Sequence, residues 1–166
     1  FWAKRDAQQQ GPRRSRELTS AYFSGLNYLL NEQPDKAIEV LLKALEVDSG
    51  TVETHLALGN LFRRRGEVER AIRIHQNLIA RPTLDRQQRS QALLELGQDF
   101  MKAGLYDRAE SLFQELAEVP DYNEQALRLL MRIYQQEREW ESAIHVARRL
   151  AGLSGDRLDD VIAQYE

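Results

Sequence analysis

Thr51 to Leu78, TVETHLALGNLFRRRGEVERAIRIHQNL, decides the fold, because its landmarks return at a fixed interval along the chain. Gly59, Phe62 and Ala71 stand at offsets 0, 3 and 12. The same offsets from Gly25 give Tyr28 and Ala37, from Gly97 give Phe100 and Ala109, and from Met131 give Tyr134 and Ala143. Successive units are separated by 34, 38 and 34 residues. Shortly before each alanine stands an acidic residue, Asp35, Glu69, Asp107 or Glu141, placed for the first turn of a helix, where the dipole favours it.

A period of about 34 residues built from two helical patterns is the tetratricopeptide signature. In each unit the first helix brings a small residue (Gly25, Gly59, Gly97) against its partner, and an aromatic ring fills the layer one turn later. The second helix presents Ala37, Ala71, Ala109 or Ala143 at the close approach. Neither helix buries its apolar stripe alone, so units stack, and the expected product is an all-α, right-handed solenoid with one concave and one convex face. An unrelated helical bundle would require four coincidences of spacing. The reading gives a tether over 1–16 and an array over 17–166, with repeats near 18–51, 52–85, 86–123 and 124–157 and a partial fifth at 158–166.

The 166 residues suffice for one domain with a core, and the absence of cysteine excludes a disulfide scaffold, a thiol nucleophile and a thiolate-held metal in this stretch. Four prolines, nine glycines and 30% charged residues of both signs suit a soluble, intracellular helical protein. The net charge of −3 conceals a cationic leader, with Lys4, Arg5, Arg13, Arg14 and Arg16 against Asp6. The body is therefore acidic, which argues against nucleic-acid binding. Phe1-Trp2 before Lys4-Arg5 resembles the cytoplasmic edge of a membrane helix, with the ring at the headgroups and the cations inside, the alternative being a plain disordered tail. The Gln-rich residues up to 16, with Gly11-Pro12, read as a flexible tether.

Punctuation follows the repeat. Pro34 suits the first turn of a second helix, and Thr51 is placed to cap the next first helix. Gly66 and Gly104 fall where a left-handed residue closes a helix. The extra four residues between units two and three amount to about one helical turn, so the first helix of unit three should begin one turn early, capped by Thr83 or Asp85. Pro120-Asp121 marks the stop and start before unit four, and Arg157 to Glu166 opens a helix without a partner, as if a fifth unit were cut.

Enzyme signatures are absent: no phosphate loop, no G-x-S-x-G, no H-E-x-x-H and no G-x-G-x-x-G. His55, His75 and His145 show no i, i+4 pairing and read as packing or surface residues, His75 partly buried because Leu41 and Phe113 hold its place in sister units. The expected activity is binding in the concave groove. The lining is expected from Tyr22, Leu26, Leu29 and Glu53, and above all from Leu56, Asn60, Arg63, Arg64, Leu94, Gln98, Lys102, Arg128 and Arg132, with Gln91 and Gln125. An acidic partner segment with apolar residues would fit this cationic lining. The alternative for the leucines is that they complete helix packing, and for the arginines that they are solvated. The Lys/Asn/Asn/Lys/Arg set that grips a chaperone's C-terminal carboxylate in some such domains is replaced here by Tyr22, Leu26, Ala57, Gln91 and Glu95.

The run Gly50 to Leu78, GTVETHLALGNLFRRRGEVERAIRIHQNL, and Leu96 to Glu110, LGQDFMKAGLYDRAE, closely resemble the lipopolysaccharide assembly protein B (LapB/YciM) family, and the similarity covers the whole chain. The resemblance implies a single N-terminal inner-membrane anchor and a cytoplasmic tetratricopeptide array, followed by a rubredoxin-like module whose four cysteines hold a metal. With no cysteine here, no cofactor is expected in this stretch. It further implies a non-catalytic adaptor that restrains lipopolysaccharide synthesis by promoting degradation of the deacetylase LpxC by the membrane protease FtsH, and that answers to an inner-membrane regulator of the pathway. Tethering substrate and protease to one scaffold would raise their effective concentration. A generic scaffold for envelope complexes is the alternative. A homodimer through the apolar end of the cut fifth unit is also open. No family motif assigns binding residues in this stretch, so the groove residues rest on repeat position alone.

Overall fold

The computed structural model describes residues 31–47 and 51–154, with Ala21, Ser24, Gly25, Asn27 and Tyr28 before them. The expected tether, Tyr22, Leu26 and Leu29 of the groove, and the partial fifth repeat lie outside the described residues. Regular structure among the described residues is helical: α1 Pro34–Val47, α2 Val52–Arg64, α3 Val68–Ile79, α4 Arg86–Lys102, α5 Tyr106–Leu116, α6 Asn123–Glu137 and α7 Trp140–Ser154. The chain divides into two compact units, residues 1–74 and 75–166, with the boundary inside α3.

Helix starts follow local chemistry. The longer connection before α4 ends in a capping box at Asp85, whose Oδ1 accepts from the Gln88 N–H at 2.8 Å while Gln88 Oε1 accepts from the Asp85 N–H at 3.1 Å. As the spacing predicts, α4 begins 11 residues before Gly97, whereas α2 begins seven before Gly59. Thr51 departs from expectation. It holds the N-cap position of α2 in extended conformation, yet its side chain bonds no helix N–H. Its hydroxyl donates instead to Thr54 Oγ1 at 2.5 Å, and its carbonyl accepts from His55 Nδ1 at 2.8 Å.

The turn between the helices of a repeat recurs at offset 7, where Glu32, Gly66, Gly104 and Arg138 have φ of 56°, 81°, 74° and 61°. After each left-handed residue the next N–H reaches back five residues: Gln33 to Tyr28, Glu67 to Phe62, Leu105 to Phe100 and Glu139 to Tyr134, all within 2.8–2.9 Å. This is the Schellman closure, which glycine enters without the clash a Cβ brings. Glu32 and Arg138 adopt it with side chains present, so only two of the four closures carry a glycine signal.

In residues 1–74, Ala37, Ile38, Leu41, Leu58, Leu61, Phe62 and Ala71 form the core, with Tyr28, Ala57 and Ile74 against it. A Cβ on Gly25 would stand 3.0 Å from Leu41 Cδ2. In residues 75–166 the same approach is tighter: a Cβ on Gly97 would stand 2.4 Å from Phe113 Cε1 and 2.7 Å from its Cζ. Residues at offsets 0 and 16 are thus matched in size, Gly25 with Leu41 and Gly97 with Phe113. The fourth repeat reverses the sizes, with Met131 at offset 0 and Ala147 at offset 16. The core of this second unit continues through Phe100, Ala109, Leu116, Ala126, Leu127, Leu130, Ile133, Ala143 and Val146, all buried.

The aromatic landmark also recruits a cation from offset 11. Arg70 lies 4.0 Å from the Phe62 ring centre, Arg108 4.2 Å from that of Phe100, and Lys36 5.9 Å from that of Tyr28. Such pairs contribute about 0.5–1 kcal/mol where exposed. The fourth repeat has Ser142 there, and its aromatic is held otherwise: Tyr134 donates from its hydroxyl to Glu110 Oε1 at 2.6 Å, and Gln114 Nε2 donates to both Glu110 Oε1 (2.8 Å) and the Tyr134 oxygen (3.3 Å).

His75 is wholly buried rather than partly so, because its Nδ1 lies 2.5 Å from Oδ2 of Asp99, itself wholly buried. Its Nε2 is buried without a hydrogen bond. The carboxylate that accounts for this histidine stands on α4, where two sister units carry Leu61 and Ile133 and the first carries Asn27.

Three outcomes follow from this packing. Gly97→Ala should lower stability by about 1–3 kcal/mol, the range for overpacking, and by less when Phe113→Leu is also present, read from a double-mutant cycle of urea midpoints. Arg138→Gly should raise stability by up to about 1 kcal/mol by removing the left-handed Cβ clash, whereas Gly104→Arg should lower it. Burial and the bond to Glu110 push the Tyr134 hydroxyl up to about 12. Since the unfolded phenol titrates near pH ~10, its contribution is complete below that pH and is lost as pH rises toward the folded value. The fall in urea midpoint above pH ~10 should therefore be shallower in Tyr134→Phe than in the parent.

Candidate functional site

The expected binding residues lie on the first helix of each hairpin, and each compact unit carries its own set. On α2, Leu56 and Asn60 are half-buried, Arg63 is half-buried, and Arg64 is exposed. The Asn60 Oδ1 is buried and accepts no hydrogen bond. Arg63 and Arg64 occupy the last turn of α2, where cations complement the negative end of the dipole.

On α4, Gln91 and Gln98 are half-buried and Lys102 is exposed at the C-terminal end. Leu94 is only 2% exposed and belongs to the core, the packing role open to it from the start. Gln91 donates from Nε2 to Glu95 Oε1 at 3.0 Å, and its own Oε1 lies 3.3 Å from the Tyr122 hydroxyl. That contact brings the start of α6 beside the second turn of α4. On α6, Gln125, Arg128 and Arg132 are exposed. Arg128 is engaged by Glu124 one turn earlier, at 2.7 Å from NH2 and 3.1 Å from Nε. Arg132 and Lys102 hold no ion pair among the described residues. The cations of this unit thus differ in cost of use: a partner carboxylate meets Lys102 and Arg132 directly but must displace Glu124 to reach Arg128.

These are solvated groups on helical walls, suited to reading charge and hydrogen bonding on another protein. Among the described residues no cluster of three or more His, Cys, Asp or Glu side chains could hold a metal ion. No helix among them is long and apolar enough to cross a membrane. His55 bonds its own helix start and His145 is exposed, so neither is part of a constellation with the other.

Charge reversal separates these groups. Lys102→Glu/Arg132→Glu should weaken capture of an acidic protein surface by about 10- to 100-fold, and Arg128→Glu alone by less, as measured by biolayer interferometry at two salt concentrations.

Comparison with known proteins agrees with this architecture. Models of the tetratricopeptide repeat match residues 54–90 and 94–157. Lipopolysaccharide assembly protein B of Escherichia coli strain K12 is 47% identical over 165 residues, 99% of this chain and 42% of that protein. The protein of the same name from Haemophilus influenzae is 38% identical over 172 residues, 99% of this chain and 43% of its own length. The chain thus spans about two fifths of these relatives. Among solved structures, a putative kinesin light chain from Podosopora anserina with nearly identical TPR-like repeats superposes with a TM-score of 0.72 at 20% identity, covering 86% of this chain and 76% of that one. MamA superposes at 0.70 and 20% identity, over 85% and 75%. These two likenesses concern the fold alone. With two repeat models matched, helical hairpins recurring at the landmark spacing and relatives aligned along its whole length, the chain belongs to the tetratricopeptide-repeat family and is a relative of lipopolysaccharide assembly protein B.

Proposed function

We propose that this chain is the binding array of a non-catalytic adaptor in lipopolysaccharide assembly, held at the cytoplasmic face of the inner membrane by an anchor. In this reading it promotes degradation of the deacetylase LpxC by the membrane protease FtsH and responds to an inner-membrane regulator. The observation that carries the proposal is the 47% identity to lipopolysaccharide assembly protein B across 99% of the chain. The physical support is that exposed or half-buried cations and amides stand on α2, α4 and α6, each the first helix of its hairpin. An adaptor of this kind needs no chemistry of its own. Holding a substrate and a protease on one scaffold replaces a bimolecular encounter by an intramolecular one, with an effective concentration in roughly the millimolar range for short flexible links.

The test uses the full-length protein in its native membrane, as parent and as Lys102→Glu/Arg132→Glu, with Glu115→Lys on the second-helix face as control. Crosslinking and pull-down should recover the deacetylase and the protease with the parent and the control. The double variant should lose the deacetylase, and the deacetylase half-life should lengthen in cells carrying it. Recovery of other envelope proteins in place of both would make the chain a general assembly scaffold.

A further inference from the structure

Between the first turns of α4 and the connection that precedes α6 lies a cleft of about 340 Å³, walled by Gln87, Ser90, Val119, Pro120, Asp121 and Tyr122. Ser90 is the unusual member. It is 6% exposed, and its hydroxyl makes no hydrogen bond among the described residues. A helical serine commonly turns its hydroxyl back to the carbonyl four residues earlier, as the exposed Ser111 does to Asp107 at 3.0 Å. Ser90 does not, and it lines the cleft with its polar atom unused.

Among the other residues lining the cleft Asp121 is the one carboxylate. Asp121 is exposed and unpaired among the described residues. The Tyr122 hydroxyl makes only long contacts, 3.4 Å to the Gln87 carbonyl and 3.3 Å to Gln91 Oε1. Burial first, then the charges of Asp121 and Asp85, push the Tyr122 phenol up. Arg86 also borders the cleft but forms no ion pair with Asp121, and as the first residue of α4 it sits where the helix dipole disfavours a cation. Val119, Pro120 and the Tyr122 ring supply apolar wall.

We propose that this cleft receives one basic side chain, lysine or arginine, from a partner protein. Its aliphatic stem lies on Val119 and Pro120, and its cationic head donates to Ser90 Oγ and Asp121. Because Tyr122 also touches Gln91, the site adjoins the face carrying Lys102 and Arg132. A partner segment bearing one basic residue beside acidic ones would thereby be fixed in direction. The assignment stands independently of which partner that is.

The test is two-dimensional amide NMR of the whole chain titrated with n-butylammonium and n-butylguanidinium, which mimic the two side chains, and with n-butanol and butyrate. Saturable shifts at Gln87, Ser90 and Tyr122 with either cation, and the stronger of the two, would assign the site to lysine or arginine. Asp121→Asn and Ser90→Ala should each weaken that binding by about three- to tenfold while leaving the rest of the spectrum unchanged. Equal shifts with butanol would reduce the cleft to an apolar crevice, preference for butyrate would make it an anion site of Arg86, and no saturable shift at all would mean no site. Each of these three results overturns the proposal.

Discussion

The close approach of two helices at a residue without a side chain is the constraint on which the first and third hairpins depend. At Gly97 the Phe113 ring occupies the volume a Cβ would need, and at Gly25 Leu41 comes almost as near. Interior packing leaves no slack for a further methyl group, so helix separation within a repeat is set by the summed size of this pair. The fourth repeat keeps the sum and exchanges the partners, Met131 for glycine and Ala147 for the large residue. Once separation is fixed, the remaining landmarks have their roles. The offset-12 alanines are buried because the second helix crosses closely there, and the offset-3 ring fills the next layer, capped by a cation in three repeats and by Glu110 in the fourth.

This geometry also explains what the sequence reveals and what it conceals. The glycine, aromatic and alanine positions are legible because steric size is encoded in a single residue type. The early start of α4 and its cap at Asp85 are legible because they depend on neighbours three residues apart. Glu32 and Arg138 are not, since a left-handed residue with a side chain has no distinctive letter and is held in place by the closure around it. His75 illustrates a different limit. Its burial depends on Asp99, 24 residues away, and only the coincidence of a histidine where two sister repeats carry Leu41 and Phe113 with an aspartate where two carry Leu61 and Ile133 could have pointed to the pair.

The binding face is partly legible for the same reason. Repeat position places the proposed binding residues on α2, α4 and α6, where Arg64, Lys102, Gln125, Arg128 and Arg132 are exposed and Arg63, Gln91 and Gln98 half-buried. Position alone does not distinguish a residue that completes the core, as Leu94 does, from one available to a partner. Nor does it show that Glu124 holds Arg128 while Arg132 stands clear. Those distinctions arise from side-chain reach across one helical turn, which sets the electrostatic cost of each contact. The cleft at Ser90 and Asp121 is not legible in the sequence, because its walls come from a helix start and a connection that no repeat landmark links.

The account holds that partners are read by the first helices of the hairpins. The most direct measurement places a photo-crosslinking residue, one at a time, at positions 102 and 132 on α4 and α6 and at exposed positions 115 and 148 on α5 and α7, in the full-length protein in its native membrane. Protein adducts from 102 and 132, with none from 115 and 148, are the expected result. Adducts confined to 115 and 148 would put recognition on the second helices and contradict the account.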